Sequence, residues 1–154
     1  GESSHAEGQF TKAIGSASHA EGDGTTSFGN YSHTEGQYSR AFGDWSHTEG
    51  YGTRASGSAS HAEGQYTTAA GDYSHAEGSG TIATNDYSHA EGVGSEANGL
   101  GSHSEGTGAA NGEGAHAEGY NTNANGNYSH AEGKQSNSNG NWSHAEGAST
   151  TAVG

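Results

Sequence analysis

Histidine recurs at positions 5, 19, 33, 47, 61, 75, 89, 103, 116, 130 and 144, and every interval is 14 residues except the 13 between His103 and His116. Each His is followed two residues on by Glu and three residues on by Gly. The working unit is S-H-A-E-G-x-x-T-x-A-x-G-x-Y, and residues 1–154 form a single repeat array of such units. A unit this short cannot enclose a core alone, so it must be one turn of a stacked architecture. It also has a half-period: Gly8 and Gly15, Gly22 and Gly29, and Gly36 and Gly43 stand seven apart. Each half reads as a strand of about four residues closed by a Gly-containing turn, since Gly reaches positive φ without steric cost. Asn85 occupies a Gly position in this pattern, and Asn is the next most tolerant of positive φ. The short unit drops its residue after Gly106. Both departures fall in turns, where a solenoid tolerates them.

These spacings predict an all-β chain, a parallel β-solenoid (β-roll) of about 11 fourteen-residue coils. At ~4.8 Å per rung the rod is roughly 50 Å long. Strand alternation puts Ser and Ala of S-H-A-E on one face and His and Glu on the other. Thr and Ala of the second half share a face in the same way. The small columns belong inside, because two sheets joined by such short turns leave room only for small side chains.

That placement explains a composition that otherwise reads as disordered. Ile, Val, Leu and Phe together number 8 of 154 residues, and Gly numbers 29. Pro is absent, as expected where each backbone N–H bonds to the next rung. No apolar run approaches the ~20 residues that span a bilayer, so no membrane insertion is expected in this segment. With 4 Lys and Arg against 18 Asp and Glu, the formal charge is -14, which argues against nucleic acid as a partner. Without Cys there are no disulfides or thiolate metal sites. The chain opens at Gly1 without Met or a signal peptide and is read as a fragment of a longer fibre.

The outward positions of the second half vary freely: Lys12, Thr26, Arg40, Arg54, Thr68, Ile82 and Glu96 form one column. Those of the first half do not. His5, His19, His33, His47, His61, His75, His89, His103, His116, His130 and His144 alternate with Glu7, Glu21, Glu35, Glu49, Glu63, Glu77, Glu91, Glu105, Glu118, Glu132 and Glu146. Three readings stand beside one another: recent duplication, a lateral protein interface, and a metal array. Recent duplication is weakened because the other outward columns drifted. Stacked carboxylates ~4.8 Å apart repel one another in bare water, which favours pairing or cover. Glu neighbours are expected to raise the His pKa values, with stability lost as pH rises through them. No cofactor is required. A divalent metal, Zn or Ni, at rings of His is the alternative to a plain interface.

Aromatic residues recur just before Ser-His, at Tyr31, Trp45, Tyr73, Tyr87, Tyr128 and Trp142. They are read as a corner ladder that covers a thin core, with a glycan-stacking platform as the other reading. No catalytic residue stands out. A dyad repeated 11 times supplies no asymmetric site with distinct acid, base and stabilising roles, so an enzyme is not expected.

The repeat resembles the heads of YadA-type trimeric autotransporter adhesins, which carry S-V-A-I-G-x-x-A-x-A-x-G-x-x. Ser4, Ala6, Gly8, Ala13 and Gly15 match that pattern, and His and Glu replace its Val and Ile. The S-H-A-E-G form is also similar to repeats of phage fibre proteins. The resemblance implies left-handed coils, a homotrimer, and His5, Glu7 and their equivalents at its interface. It also implies a structural or adhesive role in an extracellular, cell-surface or virion fibre, with a host or surface glycan or a matrix ligand as partner.

Overall fold

Alternation of one small and one polar residue is the pattern of a strand with one buried face, and each coil obeys it twice. The computed structural model describes residues 1–154 as twenty strands with no helix. The first coil holds β1 (His5–Gln9) and β2 (Lys12–Ala13), the second β3 (His19–Asp23) and β4 (Thr26–Ser27). The series ends with β19 (His144–Ala148) and β20 (Thr151–Ala152). Every pairing is parallel and joins a strand to its equivalent in the next coil, as in His5↔His19, Ala6↔Ala20 and Glu7↔Glu21. The expected parallel β-solenoid of about 11 coils is therefore the fold. Its halves are unequal, however: most first strands have five residues and most second strands two.

Pairing does not stop at the corners. The N–H of Tyr31 donates to the Ser16 carbonyl at 2.9 Å, that of Trp45 to Asn30 at 2.8 Å, and that of Tyr38 to Asp23 at 2.9 Å. A proline at any of these corners would delete a rung-to-rung bond.

Between the two faces lies a core of Ala, Ser and Thr, and Thr is its largest fully buried side chain. Ala55, Ala62, Ala69, Ala76, Ala83, Ala90 and Ala97 form one continuous buried run. The buried hydroxyls are there to bond. Ser18, Ser32, Ser46, Ser60, Ser74 and Ser143 each donate to the carbonyl three residues back, at 2.6–2.7 Å. Thr25, Thr67 and Thr81 donate to the carbonyl of the Glu four residues back, at 3.0–3.1 Å. The serine turns fix one corner and the threonines the other, which positions the His–Ala–Glu strand between them.

The glycines act differently from the sequence expectation. Gly8 and Gly22 lie inside strands, with φ near +107 and +106. Gly15, Gly29 and Gly43 do lie at a corner, but none has positive φ. Their requirement is close stacking: a Cβ on Gly29 would collide with the Gly43 carbonyl oxygen. Asn85 likewise sits at the corner without positive φ. The left-handed residue there is Tyr87 (φ 59), and the Asn85 amide instead donates to the Asn98 carbonyl at 2.6 Å.

The 13-residue unit loses its left-handed corner residue. Its two strands fuse into β15 (His103–Ala110), with the register shift between Thr107 and Ala109. Gly108 takes the place of the inward Thr, and its carbonyl accepts a bond from the Ser104 hydroxyl at 3.0 Å. No helix is long and apolar enough to cross a membrane.

Candidate interface along the histidine and glutamate ladder

Because Ala20 and its equivalents point into the core, His and Glu on either side of them point out. The parallel register then sets like upon like. From His19 to His144 each imidazole stacks on the next, with centroids 4.7–4.9 Å apart and planes within 6°. Only His5 departs, meeting His19 edge-on at 75°. Ten of the 11 rings place Nε2 3.3–4.0 Å from a Glu carboxylate. Eight use the Glu of their own coil, whereas His103 and His144 use Glu91 and Glu132 of the coil before.

Most of these contacts are too long to be hydrogen bonds; only His5 to Glu7, at 3.3 Å, qualifies. Nine Nε2 atoms, from His19 to His130, are shielded from water yet have no hydrogen-bond partner. A buried, unmatched ring nitrogen is costly, the more so when it must carry a proton. Burial first, and the neighbouring rings second, hold His33, His61, His89 and His130 below the ordinary imidazole value. The expectation that Glu would raise the His values is therefore reversed at these four positions. The carboxylates raise them, but less than stacking and burial lower them.

The stacked carboxylates shift one another. Glu91 is pushed up to about 7, chiefly by hydrogen bonding to Glu77, and Glu63 is raised first by the same neighbour. Glu77 is lowered because Glu91 and Glu63 both donate to it. Glu35 is raised by burial and then by Glu49 and Glu21. Alternate protonation relieves the repulsion of a carboxylate stack. Glu63, Glu77, Glu91 and Glu105 wall an open groove floored by Gly78, Gly92 and Gly106, where bare backbone leaves the surface low beside the ladder.

Several triads, among them His5, Glu7 and His19, and His61, Glu63 and His75, bring ligand atoms within 4.8 Å of one another. Two nitrogens on one Zn, each at about 2.0–2.1 Å, can stand no more than about 4.2 Å apart. Parallel rings 4.8 Å apart, such as His61 and His75, aim their lone pairs side by side rather than at one point. Each coil thus offers an ion one His and one Glu, and further ligands must come from elsewhere.

The aromatic positions form three stacked pairs: Tyr31 on Trp45 at 5.8 Å, Tyr73 on Tyr87 at 5.3 Å, and Tyr128 on Trp142 at 4.4 Å. All six hold φ between 56 and 63, and their exposure runs from 45% to 75%. They stand on the corner beside the ladder rather than over the Ala and Thr columns.

Two columns escaped the sequence reading. Asn30, Asp44, Asp72, Asp86, Asn127 and Asn141 each accept a backbone N–H from the coil before, at 2.7–3.1 Å. Their signal was the Asn or Asp one residue after the second Gly of the unit. An amide ladder links Asn98, Asn111, Asn125 and Asn139 at 2.7–2.9 Å on the opposite sheet.

Coils of 14 residues with a small-residue core and one uniform outward column define a short-repeat parallel β-solenoid. A model of the YadA head domain repeat matches the chain twice, at residues 6–32 and 62–84. The matches start 56 residues apart, which is four whole units, so both lie in one register. Those two stretches are thus similar to YadA head repeats, and the same 14-residue period runs through the coils between and beyond them. No curated protein matches the sequence.

Proposed function

We propose that this chain is a structural and adhesive segment of an extracellular fibre or adhesin head. It associates as a homotrimer of left-handed coils through the His/Glu face. The observation that carries this reading is the contrast between the two outward faces. One varies from coil to coil, while the other repeats His and Glu 11 times, with nine ring nitrogens shielded and unmatched. A neighbouring chain against that face would cover the carboxylate stack and supply partners to the outer ring edges. The similarity of the two matched stretches to YadA head repeats supports the trimer, the hand of the coil and display at a surface.

Single cysteines test the geometry, because the chain has none of its own. Under mild oxidation Glu77→Cys should give disulfide-linked dimers, since chains around an axis bring equivalent positions together. Thr68→Cys on the opposite sheet should not. Cross-linking of Thr68→Cys alone would place the interface on the wrong face.

A second reading, a divalent metal (Zn or Ni) on the ladder, is favoured by the His–Glu–His triads. It depends on the first, because one chain supplies too few convergent ligands to each ion. Elemental analysis of purified protein, with melts before and after EDTA, decides it. Metal-free protein with an unchanged melt contradicts this reading and leaves the interface intact.

A further inference from the structure

The sheet opposite the ladder carries a cluster that the interface does not use. Three of the chain's four Lys and Arg residues, Lys12, Arg40 and Arg54, fall in one column within its first four coils. All three are exposed. All ten ion pairs of the protein join His to Glu, so these cations have no carboxylate partner. Beside them, on the same face, Phe28 stacks on Phe42 at 4.7 Å with planes 5° apart. The Arg54 guanidinium lies 4.8 Å from the Phe42 ring centroid, and its Nε donates to the Ser56 hydroxyl at 2.8 Å. Farther along, the same two columns turn to Thr68, Ile82 and Glu96 and to the amide ladder, with no further cation.

An exposed cationic row without carboxylate partners is a local positive patch on a chain of formal charge -14, and it can hold an anion that the rest of the surface repels. Cations beside an exposed Phe28 stacked on a half-buried Phe42 suit one class of anion in particular. The carboxylate or sulfate of a sugar meets a guanidinium or ammonium, while its C–H groups pack against the apolar edge of the Phe28–Phe42 stack, whose inner faces are closed by the stacking and by Arg54. The rung spacing of ~4.8 Å is close to the advance of one sugar along an extended polysaccharide, so successive rungs can meet successive residues. The two outward faces point away from each other across the Ala and Thr core, which leaves this patch open when the ladder is covered.

We propose that Lys12, Phe28, Arg40, Phe42 and Arg54 form a binding site for a carboxylated or sulfated polysaccharide running along the rod. The inference rests on the adhesive reading above and supplies its ligand class.

The test measures binding of the whole chain, at 0.15 M salt, to polygalacturonate, dextran sulfate, neutral dextran and duplex DNA. Binding to one or both acidic polysaccharides is expected, with neutral dextran and DNA at least tenfold weaker. Changing Lys12, Arg40 and Arg54 together to Thr, a residue the column already holds at 26 and 68, should weaken binding at least tenfold and flatten its salt dependence. Phe28→Thr with Phe42→Ser should weaken it severalfold without changing that dependence. Lys134→Thr, outside the patch, should change nothing. Melts of each variant separate lost binding from lost fold. The site is refuted by no binding to either polyanion, by equal binding to neutral dextran, by tighter binding to DNA, or by an unchanged affinity in the folded triple variant. A trimer that binds neither polyanion overturns this inference alone; a monomer that binds overturns the interface reading alone.

Discussion

A β-carbon at position 36 has nowhere to go. Gly36 has φ +95, and a Cβ there would collide with the Gly50 carbonyl oxygen. Gly80 also has positive φ (+68) but open space around it. Gly36→Ala should therefore cost about 2 kcal/mol or more in thermal or urea unfolding, whereas Gly80→Asn should stay within about 1 kcal/mol. Equal effects would show that stacking distance is not what selects glycine. The ladder makes a second prediction at this scale. Glu91 is raised to about 7, so its contribution to stability is present below the ordinary value of 4.5 and lost as pH rises through about 7. Glu91→Gln, which imitates the protonated group, should melt higher than the parent at pH 8 and level with it near pH 5; the reverse order would contradict the raised Glu91. The lowered His33, His61, His89 and His130 act oppositely: their contribution is present above 6.5 and lost as pH falls below it. The outward direction of His and Glu was legible from alternation alone. The left-handed positions were legible only in part: Gly8, Gly22 and Gly36 do hold positive φ, but the corner positions were hidden. Here Tyr and Trp hold φ near +57 at the corners, while Gly15 and Gly29 answer to stacking distance instead.

At the scale of the strand, the repeat gave the register of every pair in advance, since a fixed period can only stack like on like. The unequal halves were hidden, because the serine and threonine hydroxyls that close the corners bond to backbone carbonyls and leave no mark in a hydropathy pattern. The 13-residue unit shows what a coil tolerates. It loses a corner residue and fuses its strands, yet His103↔His116 and Ala110↔Ala124 remain in register. Inserting Asn between Thr107 and Gly108 should accordingly change the unfolding free energy by no more than about 1 kcal/mol. Deleting Ala76 instead moves Glu77 to the inward face and slips the strand by one residue, which reverses its faces. That variant should lose cooperative unfolding. Equal tolerance of the two changes would contradict a register fixed by the buried Ala column.

The whole molecule is a thin rod whose stability rests on rung-to-rung bonding and a core no larger than Thr. Each coil touches only its neighbours, so the array gains stability by length. Its composition suggested disorder until the period showed where the small residues go. The nature of the uniform face was less legible, because one chain's sequence shows which side chains point outward but not what meets them. The shielded ring nitrogens and the raised Glu91 narrow that question, and both are products of stacking that no single unit displays. The role of the ladder depends on what covers it. Sedimentation equilibrium of the intact chain measures this directly. The prediction is a species of three times the 15.4 kDa chain mass. A monomer at every concentration would contradict it.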